Sequence, residues 1–520
     1  MARYNGSINY VDQAYSIAVD GSGNVYVTGY SGVIGSGADY ATIKYNPSGV
    51  QLWVQRYNGP GNLVDVANSI AVDGTGSVCV TGYSEGSGTG NFDYATIKYN
   101  SSGVQQWVAR YNGPGNNHDY AYSIAVDASG NVYVTGSSTG SGTDFDYVTI
   151  KYNLAGIQQW VAIYNGSANS NDGASSIVAD GSGNVYVTGY SGGSGTGADY
   201  VTIKYNLAGI QQWAAIYNGS ANSNDIASSI AVDGPGNIYV TGKSFGSGTL
   251  DDYVTIKYNS SGIQQWAQRY NGPPGNANDY ASSIVVDSSG NVYVTGSSEN
   301  GLSDYATIKY NSSGVQQWVQ RYDGPVNSVD QAYSIKVDGS ANVYVTGRSY
   351  GGATSYDYAT IKYNSAGVQQ WLQRYNGPPG NDEDAAYAVV VDGTGIVYVT
   401  GGSVSIDGYP DFDYATIKYS QNIGIQPISN EIPKSFSLKQ NYPNPFNPAT
   451  NIKFDLSKSS LTKLIVHDIL GREIVTLVNQ DLKAGSYNVD WDATNRPGGV
   501  YFYKLLTDGF METKKMILVK

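Results

Sequence analysis

A unit of about 53 residues recurs eight times between Met1 and residue 420, and that recurrence constrains the fold more than any single motif. One apolar run, Asn-Val-Tyr-Val-Thr-Gly with small variations, has its first β-branched residue at Val25, Val78, Val132, Val185, Ile238, Val292, Val343 and Val397. Another, Asp-Tyr-(Ala/Val)-Thr-Ile-Lys-Tyr, places its first tyrosine at Tyr40, Tyr94, Tyr147, Tyr200, Tyr253, Tyr305, Tyr358 and Tyr414. Each unit holds four such runs, rich in β-branched and aromatic residues and punctuated by Gly, Asn, Asp, Ser and Pro, which is strand-and-turn chemistry. In the first copy they are residues 14–20, 25–30, 40–45 and 52–57, called strands a to d below. Asp20-Gly-Ser-Gly-Asn24 and Asn46-Pro-Ser-Gly49 are short enough to force antiparallel neighbours, so the unit reads as a four-stranded meander.

Both faces of that meander carry packing residues: Ile17 and Val19 oppose Ala18, and Ala41, Ile43 and Tyr45 oppose Tyr40 and Thr42. A sheet so small cannot bury two faces alone, and a ring of stacked sheets lets each cover the next. The chain ends support a ring. Strand d carries a tryptophan in seven copies, Trp53, Trp107, Trp160, Trp213, Trp266, Trp318 and Trp371, followed in most by Arg-Tyr-Asn-Gly, whereas the eighth copy stops at Tyr419-Ser-Gln-Asn422. The missing tail is Arg3-Tyr4-Asn5-Gly6. The expected fold is all-β: an eight-bladed β-propeller of four-stranded blades over residues 1–423, closed by the N-terminal strand. Truncating one of these tryptophans to alanine is expected to cost about 3–5 kcal/mol.

Asp-x-Ala-x-Ser-Ile-x-Val-Asp-x-x-Gly-Asn-Val-Tyr-Val-Thr-Gly resembles the bacterial SBBP β-propeller repeat, a resemblance to a fold that implies little about activity. After a linker at 424–433 the pattern changes. A proline-spaced run at 436–448 that cannot be a central strand precedes candidate strands at 450–456, 463–468, 473–478, 486–491, 500–507 and 511–519, which suggests an immunoglobulin-like β-sandwich over 434–520. This segment is similar to the type A C-terminal sorting domain of the type IX (Por) secretion system. The matching pieces are Asn441-Tyr-Pro-Asn-Pro-Phe-Asn-Pro-Ala-Thr450, Val466-His-Asp-Ile-Leu-Gly-Arg-Glu473, Ala484-Gly-Ser-Tyr487, Gly499-Val-Tyr-Phe-Tyr503 and Lys514-Lys-Met-Ile-Leu-Val-Lys520. The resemblance implies export to the periplasm, passage across the outer membrane by the type IX machinery acting on 434–520, and release or attachment at the cell surface. Such cargo needs an N-terminal secretion signal; Met1-Ala-Arg-Tyr-Asn-Gly is not one, so the true reading frame is expected to begin upstream.

Charge separates the two parts. Residues 1–429 hold 17 Lys+Arg against 33 Asp+Glu, and residues 430–520 hold 12 against 9. The net charge of −13, with no basic stripe, argues against nucleic acid as a partner, and no apolar run is long enough to span a membrane. His118 and His467 lie in different segments and Cys79 is the single cysteine, so neither a His-based triad nor a His/Cys zinc site can be assembled. No catalytic residue and no cofactor is assigned.

Twenty-four of the 30 propeller aspartates fall into three columns. A group that every blade requires is expected to satisfy turn N–H groups. The alternative for the first column, Asp12, Asp65, Asp119, Asp172, Asp225, Asp279, Asp330 and Asp384, is a ring of carboxylates at the channel mouth holding a cation such as calcium. The lysine column from Lys44 to Lys418 is expected to cover tyrosine rings with its stems. Function is expected where the repeat breaks, on the face of the longer b–c and d–a connections. Three of the six aspartates outside the columns belong to blade eight: Asp382, Asp407 and Asp411 form an acidic patch with Glu383, and Tyr409, with Tyr350 and Tyr356, adds stacking surface. The expected role is a cell-surface or secreted module binding a glycan or a surface protein. A carbohydrate-active hydrolase or lyase using the blade-eight carboxylates is the alternative, and a surface-layer component a third.

Overall fold

The computed structural model describes residues 1–6, 10–35, 37–87, 90–273, 275–352, 354–378, 382–404, 411–419, 426–429, 432–493 and 496–519. It divides into two compact units, Met1–Tyr419 and Ser420–Lys520.

The first unit holds eight four-stranded antiparallel sheets, and no helix among the described residues. In the first sheet strands a to d are Asp12–Val19, Val25–Val33, Gly37–Tyr45 and Gln51–Tyr57, paired in chain order. The eighth sheet is assembled from both ends of the unit: Ala2–Tyr4 lies antiparallel to Phe412–Tyr419, with Arg3 opposite Ala415. Strands a touch one another from sheet to sheet, and that of the eighth, Asp384–Val391, touches that of the first.

Stacking is specific as well as apolar. Each apolar cluster mixes residues of two consecutive sheets, as Tyr26 and Tyr40 of the first do with Val78, Val80, Ala95 and Ile97 of the second. A buried tyrosine hydroxyl on strand c donates to a strand-c carbonyl of the next sheet, from Tyr40 to Ala95 at 3.0 Å through to Tyr414, which donates back to Ala41 at 3.0 Å. Trp53 lies 6.1 Å from both Tyr26 and Tyr99, bridging two sheets, and its indole donates to Ser101 O at 3.3 Å.

Strand a carries a β-bulge in all eight sheets, between Ala14 and Ser16 in the first. There strand a approaches strand b so closely that a Cβ on Gly29 would stand 1.9 Å from Gln13 O, which explains the glycine at that place in every copy.

The second unit contains two four-stranded sheets facing one apolar core that includes Phe446, Phe454, Leu464, Trp491, Tyr503 and Met516. Part of the expected linker is a strand: Gln426–Ser429 pairs with Gly485–Asp492. The proline-spaced run yields only the edge strand Ser437–Leu438. Its Asn441 is buried, donating to Pro443 O at 3.1 Å and Thr450 Oγ1 at 2.9 Å, and Phe446 exchanges backbone bonds with Ile517 and Val519. The motif residues are anchors for the last strand.

Candidate functional site

Three positions vary from blade to blade while their neighbours stay fixed. The second residue of strand a is Gln13, Val66, Tyr120, Gly173, Ile226, Tyr280, Gln331 or Ala385, and opposite it on strand b stands Tyr30, Tyr83, Ser137, Tyr190, Lys243, Ser297, Arg348 or Gly402. The bulged residue, released from pairing, is Tyr15, Asn68, Tyr122, Ser175, Ser228, Ser282, Tyr333 or Tyr387. Because strands a adjoin one another, these variable side chains meet across blade boundaries.

At blades seven, eight and one they form one connected cluster. Arg348 donates from Nε and Nη2 to Gln331 Oε1 at 3.0 and 2.8 Å, pairs with Glu383 at 2.9 Å, and lays its guanidinium 4.4 Å from the Tyr356 ring centroid. Tyr333 donates to the same Gln331 oxygen at 2.9 Å, and its ring lies 5.5 Å from Tyr387. Tyr387 accepts from Gln13 Nε2 at 2.8 Å and meets Tyr15 edge-on at 5.8 Å. Tyr15 and Tyr30 both donate to Gln13 Oε1, at 3.3 and 3.1 Å. Tyr350 stands 5.3 Å from Tyr356. A second aromatic group, Tyr83, Phe92, His118 and Tyr120, lies at blades two and three.

Burial raises the pKa of Tyr15, Tyr30 and Tyr387, and pushes that of Tyr333 up to about 12 against the opposing pull of Arg348. These phenols stay protonated at neutral pH and serve as hydrogen-bonding groups rather than as bases. Aromatic faces bordered by an arginine, two glutamines and a carboxylate can stack on a flat or cyclic ligand while bonding its polar groups.

Of the expected binding residues, Glu383 belongs to this cluster, neutralised by Arg348 rather than free in an acidic patch. Asp382 is exposed and Asp411 half-buried, beside the starts of strands Asp384–Val391 and Phe412–Tyr419. Asp407 and Tyr409 lie outside the described residues. Arg348, Gln331, Gln13 and the strand tyrosines carry no signal in loop length; what marks them is variation within strand columns.

Each first-column aspartate commits one carboxylate oxygen to the d–a turn before its strand. Asp12, Asp65, Asp119, Asp172, Asp225, Asp279, Asp330 and Asp384 are all buried, and Oδ2 of each accepts the N–H of a d–a turn glycine, from Gly6 at 2.5 Å to Gly377 at 2.6 Å. One junction gathers three carboxylates, Asp304, Asp323 and Asp330, within 4.8 Å. There Asp304 is paired with Arg321 at 2.8 Å and Asp330 accepts from Gly324 and Tyr350 N–H groups, so the chain itself already engages two of the three.

The β-propeller repeat model SBBP matches residues 2–35, 106–145, 212–247 and 265–302, and the secretion system C-terminal sorting domain model matches residues 440–520. The chain joins SBBP repeats to a Por sorting tail. That tail indicates type IX export, to the cell surface or into the medium. Among the described residues no helix is long and apolar enough to cross a membrane. An uncharacterized WD repeat-containing protein of Acanthamoeba polyphaga mimivirus is 23% identical over 441 residues, covering 59% of this chain; the chain spans 31% of that relative's length. Similar solved structures include the periplasmic gluconolactonase of Pseudomonas aeruginosa (11% identity, TM-score 0.43, 72% of this chain and 98% of that one). Another is PorZ, a surface component of the type IX secretion system of Porphyromonas gingivalis (10% identity, TM-score 0.24, 99% and 100%). At these scores the likenesses say nothing of activity.

Proposed function

We propose that this chain is type IX cargo whose eight sheets are the blades of a propeller clasped by its N-terminal strand, carried by an immunoglobulin-like tail, and that it binds a glycan through the cluster at blades seven, eight and one. The sorting machinery is its partner through the tail. The observation that carries the binding role is the connected set Arg348–Glu383–Gln331–Tyr333–Tyr387–Gln13–Tyr15, placed where the repeat departs from itself. Tyrosine faces beside paired polar groups suit the alternating apolar and hydroxyl surfaces of a sugar ring. Surface location, released or attached, follows from the tail's role. Turnover has less support, because Glu383 is held in an ion pair and the cluster's phenols stay neutral. Glycan-array binding of the full chain, followed by titration of the best hit, tests the reading. Arg348→Ala and Tyr387→Ala are expected to weaken binding at least tenfold with little change in melting. Hydrolysis or cleavage of that ligand, abolished by Asp411→Asn, would instead establish the enzyme, and a protein ligand in place of a glycan would show as array silence with capture of a surface protein lost in the same variants.

A further inference from the structure

Six outer strands carry an arginine just before their last tyrosine, and each of these, Arg3, Arg56, Arg110, Arg269, Arg321 and Arg374, pairs with the aspartate that opens strand c of its own sheet at 2.7–3.5 Å. Blade two shows the whole seat. Arg110 Nη2 donates to Asp93 at 2.7 Å and to Ser84 O at 2.9 Å, while Nη1 takes the Tyr57 hydroxyl at 3.1 Å and the Ser84 hydroxyl. Blades three and four break the pattern: Ile163 and Ile216 replace the arginine, yet the acceptors stay, as Ser138 with Asp146 and Ser191 with Asp199.

Asp146 and Asp199 are 5% and 8% exposed, and among the described residues neither is in an ion pair. Oδ2 of each accepts from a threonine hydroxyl, Thr143 or Thr196, at 3.0 Å, and Oδ1 has no hydrogen-bond partner. The threonine does not stand in for the cation, because Thr249 and Thr354 make the same bond in blades five and seven with Arg269 and Arg374 also present, each at 2.7 Å. The orphan Oδ1 is shared with Asp252 and Asp357 of those blades, so the distinguishing feature is the missing countercharge. A buried carboxylate without one is costly. At the places of the missing arginines, opposite Val148 and Val201, stand isoleucines 48% and 61% exposed.

We propose that blades three and four are a docking surface for a protein partner that inserts arginine side chains, flanked by apolar residues, into the two seats that the other six blades fill from within. The seat offers a carboxylate, a carbonyl and hydroxyls in the arrangement that already holds six guanidinium groups, which favours arginine over lysine. The exposed isoleucines favour a polypeptide over a small guanidine, and the net charge of −13 favours approach of a cationic surface. This surface lies on the outer strands and is independent of the cluster on strands a.

The full chain is titrated calorimetrically with acetyl-Leu-Arg-Leu amide and with the isosteric, uncharged citrulline peptide. The arginine peptide is expected to bind at least tenfold more tightly. The double variant Ile163→Arg/Ile216→Arg, which copies the other six blades, is expected to lose that binding and to melt higher. The charge-matched variant Leu154→Arg/Leu207→Arg, at exposed positions of the same blades, is expected to keep it. Failure of the arginine peptide to bind, equal binding of the citrulline peptide, persistence of binding in the isoleucine double variant, or its loss in the leucine double variant would each overturn the proposal.

Discussion

Cys79 shows how single residues answer to their column. In the first blade the same place holds Tyr26, whose hydroxyl donates to Asp20 at 2.8 Å and whose ring lies 5.0 Å from the Lys44 ammonium. With cysteine there, Lys98 has no ring and instead pairs with Asp73 at 3.0 Å, so the aspartate that ends strand a keeps a donor. Aspartates at the two ends of strand a respond to pH in opposite senses. Burial lifts Asp12, Asp119 and Asp384 from the ordinary 3.8 to about 6, outweighing the turn N–H and serine hydroxyl that favour the charge. Their folded pKa lies above the unfolded one, so their contribution to stability is complete below the unfolded value and is lost as pH rises through about 6. Asp20, Asp73, Asp127 and Asp180, although burial opposes it, are lowered by the hydrogen bonds of their turns, and contribute above the ordinary value. Asp119→Asn mimics the protonated acid. Its melting temperature is expected to fall less between pH 4 and 7 than that of the parent chain; superimposed profiles would show that burial does not shift this carboxylate.

At the scale of the strand and the sheet, the bridging tryptophans are the most telling element. Trp213 lies 6.2 Å from Tyr186 of its own sheet and 6.4 Å from Tyr258 of the next, and its indole donates to Ser260 O at 3.2 Å. The ring is half-buried, so Trp213→Ala is expected near the low end of the range for such truncations, about 3 kcal/mol, and denaturant unfolding measures it. An unchanged midpoint would mean that the inter-sheet bridge carries no stability. Strands like these were legible because their period-2 pattern and turn residues recur, and the same recurrence exposed the aspartate and lysine columns. The bulge was not legible: nothing in Gln13-Ala14-Tyr15-Ser16 announces that Tyr15 leaves the pairing, since a bulge depends on the backbone approach to Gly29. The cluster around Arg348 was hidden for that reason, while Glu383 was found because it sits in a variable connection.

Across the whole first unit, stability depends on contacts that return to their origin. An internal sheet is covered by a neighbour on each face, and the first and eighth sheets are covered only because Ala14 and Ile17 pack with Tyr398 and Tyr414. The two ends of the unit meet there. Arg3 reaches Asp413 at 3.0 Å, Ser403 O at 3.1 Å and Val404 O at 2.9 Å, the same seat that arginines of five other blades occupy, here bound across almost the full length of the unit. In a stack of repeats stabilised by nearest neighbours, loss of one interface turns both flanking sheets into ends, which fray first. Removing residues 1–6 therefore exposes the edge of Phe412–Tyr419 in the eighth sheet, whereas weakening an internal junction leaves every sheet its four strands and each flanking sheet one further interface. Hydrogen exchange on that shortened chain is expected to show the amides of Phe412–Tyr419 and Asp384–Val391 losing protection ahead of those in Val185–Gly193, with a broader melting transition. Arg3→Ala is expected to move in the same direction to a smaller extent. Uniform protection across all eight sheets after the deletion would show that Ala2–Tyr4 merely decorates the eighth sheet, whose contact with the first then rests on the packing of strands a.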